Sequence, residues 1–186
     1  MNQFDHSIFY GINRWPDSQA PFWVFLSKGV SALPVLIVLA GISIWLIWQK
    51  KTREGGLIAA LGWIFANFLT DLWKAFVHFP RPNNLIPDVI MRVGHSDSMG
   101  TASAHSANMM FVAAVFLYYF RWWGIPWLVL AILVGISRVY VGAHFPSQVL
   151  LGWTTGIAAA AIVIGLVKLI LSRFKPKPEP IPDSQD

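Results

Sequence analysis

Five residues with proton-exchanging or cationic side chains sit at or beside the ends of strongly apolar stretches: Lys74, Arg81, His105, Arg138 and His144. An ionisable group at bilayer depth costs roughly 2.5–3.5 kcal/mol even on a lenient insertion scale. Any one long basic side chain can escape that cost by reaching back to water. Five on the same side are a different matter, because Asp71, one turn before Lys74, is the only obvious acidic partner. Two arginines and a lysine around two histidines make a cradle for a polyanion, most naturally a phosphate. The spacing sharpens this reading. Lys74 is followed after six residues by Arg81-Pro82, and Ser137-Arg138 is followed after five by His144 and then, four positions on, by Gln148. Ala102-Ser103-Ala104-His105 opens an apolar run, where the free backbone N–H groups of a helix start favour an anion.

The elements that must carry these groups are membrane helices. Of the 186 residues, 55% are hydrophobic and 12% charged, about half the charge of a soluble domain. That composition excludes a water-exposed globule and a disordered chain. It also excludes a nucleic-acid binder, although the net charge is +5. Cysteine is absent, which removes disulfides, thiolate nucleophiles and Cys-ligated metals. Apolar runs at 29–49, 56–77, 106–120, 125–141 and 147–171 suit crossings of roughly 20 residues each. The polar segment 78–103 is a loop of roughly 26 residues, long enough to favour a functional role. The fold expected is an all-α integral membrane bundle of five to six transmembrane helices, forming one domain over 1–174 with the motifs inside 71–148. The tail 175–186, where Pro alternates with Lys and Glu before ending in acids, reads as a solvated extension.

At the N-terminus, Phe4, Ile8, Phe9, Ile12 and Trp15 recur at helical spacing, with Asp5 and Asn13 off that face. This predicts an interfacial helix, and Pro21 to Leu26 re-enters or extends the first span. Met1 to His6 lacks a basic segment ahead of an apolar core, so no cleaved signal peptide is expected. Lys50, Lys51, Arg53, Arg121, Arg173, Lys175 and Lys177 gather on one side, which the distribution of basic residues makes cytoplasmic. The long loop and the turn at 142–146 then face the extracytoplasmic side.

In this order and on these span ends, Lys74-x6-Arg81-Pro82, Ala102-Ser103-Ala104-His105 and Ser137-Arg138-x5-His144 resemble the type-two phosphatidic acid phosphatase superfamily, the clan of membrane acid phosphatases and haloperoxidases. The likeness covers about 56–171, and 93–108 looks most like small bacterial members acting on lipid-linked phosphates, which implies a bacterial inner membrane. The resemblance implies that Lys74, Arg81, Ser103, the Ala104 backbone amide and Arg138 hold the phosphate. It implies that His144 attacks phosphorus to give a phosphohistidine, and that His105 protonates the leaving group and then activates water. A neutral imidazole is a competent nucleophile and a second can supply the proton. The positive cradle stabilises charge on the equatorial oxygens, so neither a metal nor a cofactor is expected. The acids nearby, Asp71, Asp88 and Asp97, are too sparse for a two-metal centre.

Two positions depart from the family pattern. The second motif reads Ala-Ser-Ala-His where Pro-Ser-Gly-His or Pro-Ser-Ser-His is usual, and Gln148 stands where an Asp usually orients the nucleophilic ring. A glutamine oxygen can accept from Nδ1–H but brings no full charge. The glucose-6-phosphatase branch also resembles His144-Phe145-Pro146-Ser147-Gln148. The leading expectation is hydrolysis of a lipid phosphate or pyrophosphate of the undecaprenyl pyrophosphate, phosphatidylglycerophosphate, phosphatidic acid or lipid A type. The alternatives are a phosphatase of a soluble sugar phosphate, a catalytically impaired phospholipid-binding relative, and a phosphotransferase. The expected partners are the lipid substrate and the bilayer, and the oligomeric state is not readable. His78 and His95 read as interfacial or substrate-adjacent, and His6 is given no role. The tryptophans near span ends suit an aromatic belt, and Gly152 and Gly156 suit close helix packing.

Overall fold

A computed structural model describes residues 3–29, 33–94 and 98–174, the side chains of 33–36 excepted. His95, Asp97, Lys175, Lys177 and the expected Pro-rich tail lie outside these residues. All regular structure among the described residues is helical: α1 (Gln3–Asn13), α2 (Ala20–Gly29), α3 (Leu33–Trp48), α4 (Arg53–Leu61), α5 (Trp63–Phe76), α6 (Ala104–Phe120), α7 (Ile125–Tyr140) and α8 (Pro146–Arg173). Among the described residues, three stretches are long and apolar enough to cross a membrane: Arg53–Phe76, Ala104–Tyr140 and Pro146–Arg173. The second of these is two helices. The chain reverses in the 3-10 turn Arg121–Gly124, where Arg121 takes a left-handed φ of 53°, and α7 returns along α6 with Trp127 against Phe116 at 4.7 Å between ring centroids. α3 is shorter and apolar all round; Ile37, Val38, Ile44, Trp45 and Trp48 are exposed, as suits a surface facing lipid.

α6 is the axis of the bundle. α8 runs beside it in the same direction: Gly152 meets Ser103 and Ser106, and Gly156 meets Ala107 and Phe111. A Cβ built on Gly152 would stand 2.6 Å from the Ser103 carbonyl oxygen, so the expected small-residue packing of α6 on α8 is found. α5 runs antiparallel to α6 and is joined to α4 at Gly62, against which the Phe111 ring is wedged. The mid-bundle core consists of Leu46, Ile58, Phe111, Val115, Phe116, Ala159, Ala160 and Ile164. These helices bring the end of α5, the start of α6, the end of α7 and the start of α8 to one end of the molecule. The basic residues Lys50, Lys51, Arg53, Arg121 and Arg173 fall at the other.

The N-terminal segment departs from the sequence reading. α1 forms over the expected residues, but with a different face inward: Asp5, Phe9 and Asn13 are buried, while Phe4 is 68% exposed. The reason is hydrogen bonding. Asp5 accepts from the Ser147 backbone N–H at 2.9 Å and from the Ser147 hydroxyl at 2.7 Å. Asn13 donates to the Ile90 and Tyr140 carbonyls and accepts from Ile90 N–H. Beside lipid, the apolar side of such a helix has no need to turn inward. Pro21 to Leu26 belongs to α2, whose Trp23 and Leu26 pack on Tyr140, Val141 and Ala143.

Candidate active site

The first element of the site is the turn between α7 and α8. Gly142 takes φ +80°, a conformation that side chains resist. A Cβ there would also stand 2.8 Å from the Ile90 carbonyl oxygen. The turn is held by Ala143 and His144 N–H groups donating to Arg138 O at 3.0 and 3.2 Å. It leaves His144 3% exposed at the floor of a cavity of about 270 Å3. Lys74, Arg81, Asn83, Ala102, Ala104, His105 and Arg138 also line this cavity.

The state of the His144 ring follows from its neighbours. Nδ1 lies 3.1 Å from Gln148 Oε1 and 3.2 Å from the Gly100 carbonyl oxygen. The Gln148 amide is itself fixed, because its NH2 donates to Pro80 O at 2.8 Å and its Oε1 accepts from Phe145 N–H at 3.2 Å. With two acceptors at Nδ1, the proton resides there, and Nε2 presents a lone pair. Nε2 faces Arg81 Nη1 at 3.1 Å. Burial, then the charges of Arg138 and Arg81, hold the His144 imidazole well below the ordinary histidine value, so the lone pair is free at neutral pH.

The two guanidiniums are seated differently. Arg81 donates to Ser98 O, Ser98 Oγ and Ala143 O at 2.8, 2.9 and 3.1 Å. Arg138 donates from Nη1 to Ser27 Oγ at 2.5 Å, while its buried Nε has no partner among the described residues. A buried unpaired donor is costly. Lys74 lines the cavity and also pairs with Asp71 at 2.8 Å, the partner its spacing suggests.

Of the residues singled out from sequence, Lys74, Arg81, Ala104, His105, Arg138 and His144 come together around one cavity, with Gln148 behind His144. Ser103 does not line it. Its side chain is fully buried as the N-cap of α6, accepting from Ser106 N–H at 3.4 Å and from the Ser106 hydroxyl at 2.9 Å. His78 is exposed and also outside the cavity wall.

Sequence reasoning missed Ser27, Asn83 and Gly100. Ser27 is a lone hydroxyl in an apolar helix, and only the fold brings it to Arg138. Asn83 directly follows the Arg81-Pro82 pair, which was the available signal. Gly100 sits so close to Gln148 that an added Cβ would lie 2.8 Å from both amide atoms. Among the described residues, no group of three or more His, Asp or Glu side chains is placed to hold a metal ion.

Known proteins resemble this chain over most of its length. The chain is 27% identical over 174 residues to undecaprenyl-diphosphatase BcrC of Bacillus subtilis, covering 90% of this chain and 82% of the relative. It is 31% identical over 157 residues to phosphatidylglycerophosphatase B of the same organism, covering 78% and 71%. A crystal structure of a transmembrane PAP2-type phosphatidylglycerolphosphate phosphatase from Bacillus subtilis superposes with a TM-score of 0.72 at 24% identity, over 92% of this chain and 88% of the other. The family model of the PAP2 superfamily matches residues 55–172, which takes in every residue that lines the cavity, and the chain belongs to that superfamily.

Proposed function

We propose that this protein is a membrane phosphatase that hydrolyses a phosphate or diphosphate carried by a lipid, with His144 as nucleophile and His105 as general acid and base. The observation that carries the reading is the convergence of two imidazoles and two guanidiniums on one small cavity, with the His144 proton held at Nδ1. In the first step His144 Nε2 bonds to phosphorus, the ester or anhydride P–O bond breaks, and His105 gives its proton to the departing oxygen. In the second, His105 takes a proton from water as its oxygen attacks phosphorus, the P–N bond breaks, and phosphate leaves. Arg81, Arg138 and Lys74 bind the equatorial oxygens, joined by the Ala104 amide at the start of α6. The Gln148 oxygen at 3.1 Å keeps Nδ1 protonated through both steps, which favours a working enzyme over an impaired binding protein.

A lipid substrate is supported by the names of the relatives, an undecaprenyl-diphosphatase and a phosphatidylglycerophosphatase. It is also supported by an apolar groove of about 510 Å3 between α5 and α8, bounded by Leu69, Trp73, Phe76 and Leu151. Trp73 is the neighbour of Lys74, so an acyl or prenyl chain in the groove would leave its headgroup within reach of the cavity. The basic residues at the far end of the bundle support a cytoplasmic location for that end. With α3, α4–α5, α6, α7 and α8 as five crossings, the cavity opens extracytoplasmically.

The test is phosphate release by the purified protein in lipid vesicles without added metal. The panel is a polyprenyl diphosphate, phosphatidylglycerophosphate, phosphatidic acid, lipid A and a soluble sugar phosphate, each with His144→Ala and His105→Ala controls. Release from a long-chain substrate that depends on both histidines supports the proposal. Equal release by wild type and His144→Ala overturns it, and preference for the sugar phosphate overturns the lipid assignment.

A further inference from the structure

Among the described residues, Asp5 is the carboxylate that hydrogen-bonds the start of α8. It is 6% exposed, lies outside the segment matched by the family model, and spends both oxygens on Ser147, the residue next to Gln148. A helix start carries the equivalent of about half a positive charge. Here that charge faces a histidine which, under the function proposed above, becomes cationic when phosphorylated. Gln148, in the place where the ring's partner sits, is neutral. From this geometry we infer that Asp5 is a positioning residue: through Ser147 it sets the first turn of α8, and it supplies the negative charge that Gln148 does not.

The route is short. Asp5 fixes the Ser147 N–H and hydroxyl, Gln148 follows in the same turn, and Gln148 Oε1 holds His144 Nδ1–H at 3.1 Å. α1 is itself locked to the site. His6 stacks on Phe145 at 5.8 Å and Phe9 meets the same ring at 5.2 Å. Farther along, Tyr10 of α1 and Arg14, just past its end, both bond Asp88 of the long loop. Asp5 is therefore delivered to α8 by a helix anchored both at Phe145 and on the long loop, and it offsets the unfavourable field of the helix start as charge develops on His144.

The inference rests on the proposed role of His144, and a double-mutant cycle with position 148 separates it from plain structural support. The variants Asp5→Asn, Gln148→Asp and the pair are compared in vesicles, with thermal midpoints recorded. Asp5→Asn keeps the shape and loses the charge; it is expected to lower kcat about tenfold to a hundredfold with KM within about twofold. In the Gln148→Asp background the same change is expected to cost less than about threefold, because the charge is then supplied beside the ring. Asp5→Glu is expected to recover part of the loss. Equal losses in both backgrounds, or a loss that follows the thermal midpoint alone, overturn the inference. If Asp5→Asn does not fold, Ser147→Ala, which leaves the carboxylate and its backbone bond, takes its place: a kcat loss that Gln148→Asp leaves unreduced overturns the inference as well. Turnover that survives His144→Ala defeats the proposed function itself, whereas His144-dependent turnover untouched by Asp5→Asn defeats only the role of Asp5.

Discussion

The two halves of this bundle are held together by different means. Around the middle, Phe111, Val115, Ala159, Ala160 and Ile164 pack against one another as an apolar cluster. At the site end, Asn13, Ser27, Arg81, Arg138, His144 and Gln148 are all buried; Asn13, Arg81, His144 and Gln148 each bond to more than one segment of the chain, and Ser27 and Arg138 bond each other. Lipid tails are as apolar as leucine, so the middle gains little from hiding its side chains and depends on close fit. The site end gains from the opposite fact: away from water, a polar group without a partner is costly, so each bond there fixes a geometry. Fit stabilises the first region, and specific pairing defines the second.

Substitutions can break this contrast in order of effect. His144→Ala should abolish phosphate release, by at least about 10³-fold in kcat, while the thermal midpoint in detergent moves by only a few degrees. A large midpoint loss would mean that the site end also carries the fold. Gly100→Ala should displace the Gln148 amide from its 2.8 Å contact with the new methyl and lower kcat about ten- to a hundredfold, with KM and midpoint nearly constant. Gly152→Ala drives a methyl against the Ser103 carbonyl oxygen at 2.6 Å. It should cost about 1–3 kcal/mol of stability, read as a lower midpoint, with activity falling only as folded protein is lost.

The smallest effect is in pH. The His144 imidazole is held below its unfolded value of 6.5, so the unfolded chain binds a proton that the native site refuses. Its contribution to stability is fully present above pH 6.5 and is lost as pH falls toward the native value. Midpoints measured between pH 7.5 and 5 should therefore fall more steeply for wild type than for His144→Asn. Equal slopes would show that His144 is not the buried neutral group described above.

How much of this was legible in the sequence follows the same division. Lys74, Arg81, His105, Arg138 and His144 stood out because ionisable groups at span ends are expensive, and the structure brings all five to one cavity. The apolar runs were equally plain. The face of α1 was not, since its inward side is chosen by Ser147, Ile90 and Tyr140, partners 77 to 142 positions away, and periodicity carries no information about them. Ser103 was read as a phosphate ligand, whereas its hydroxyl here caps α6, a role that the same residue at the same helix start serves equally well. Ser27 and Gly100 gave no local sign at all: one hydroxyl and one missing methyl acquire meaning only from what stands opposite.

One backbone bond between α6 and α8 limits how the molecule can open. The Ser103 N–H donates to the Gln148 carbonyl oxygen at 3.0 Å, stitching the start of α6 to the first turn of α8. Any parting of those two helices would pull His105 away from His144 in the same motion and disassemble the chemistry. That seam keeps the α6–α8 side of the site closed, while the apolar groove lies where α5 meets α8.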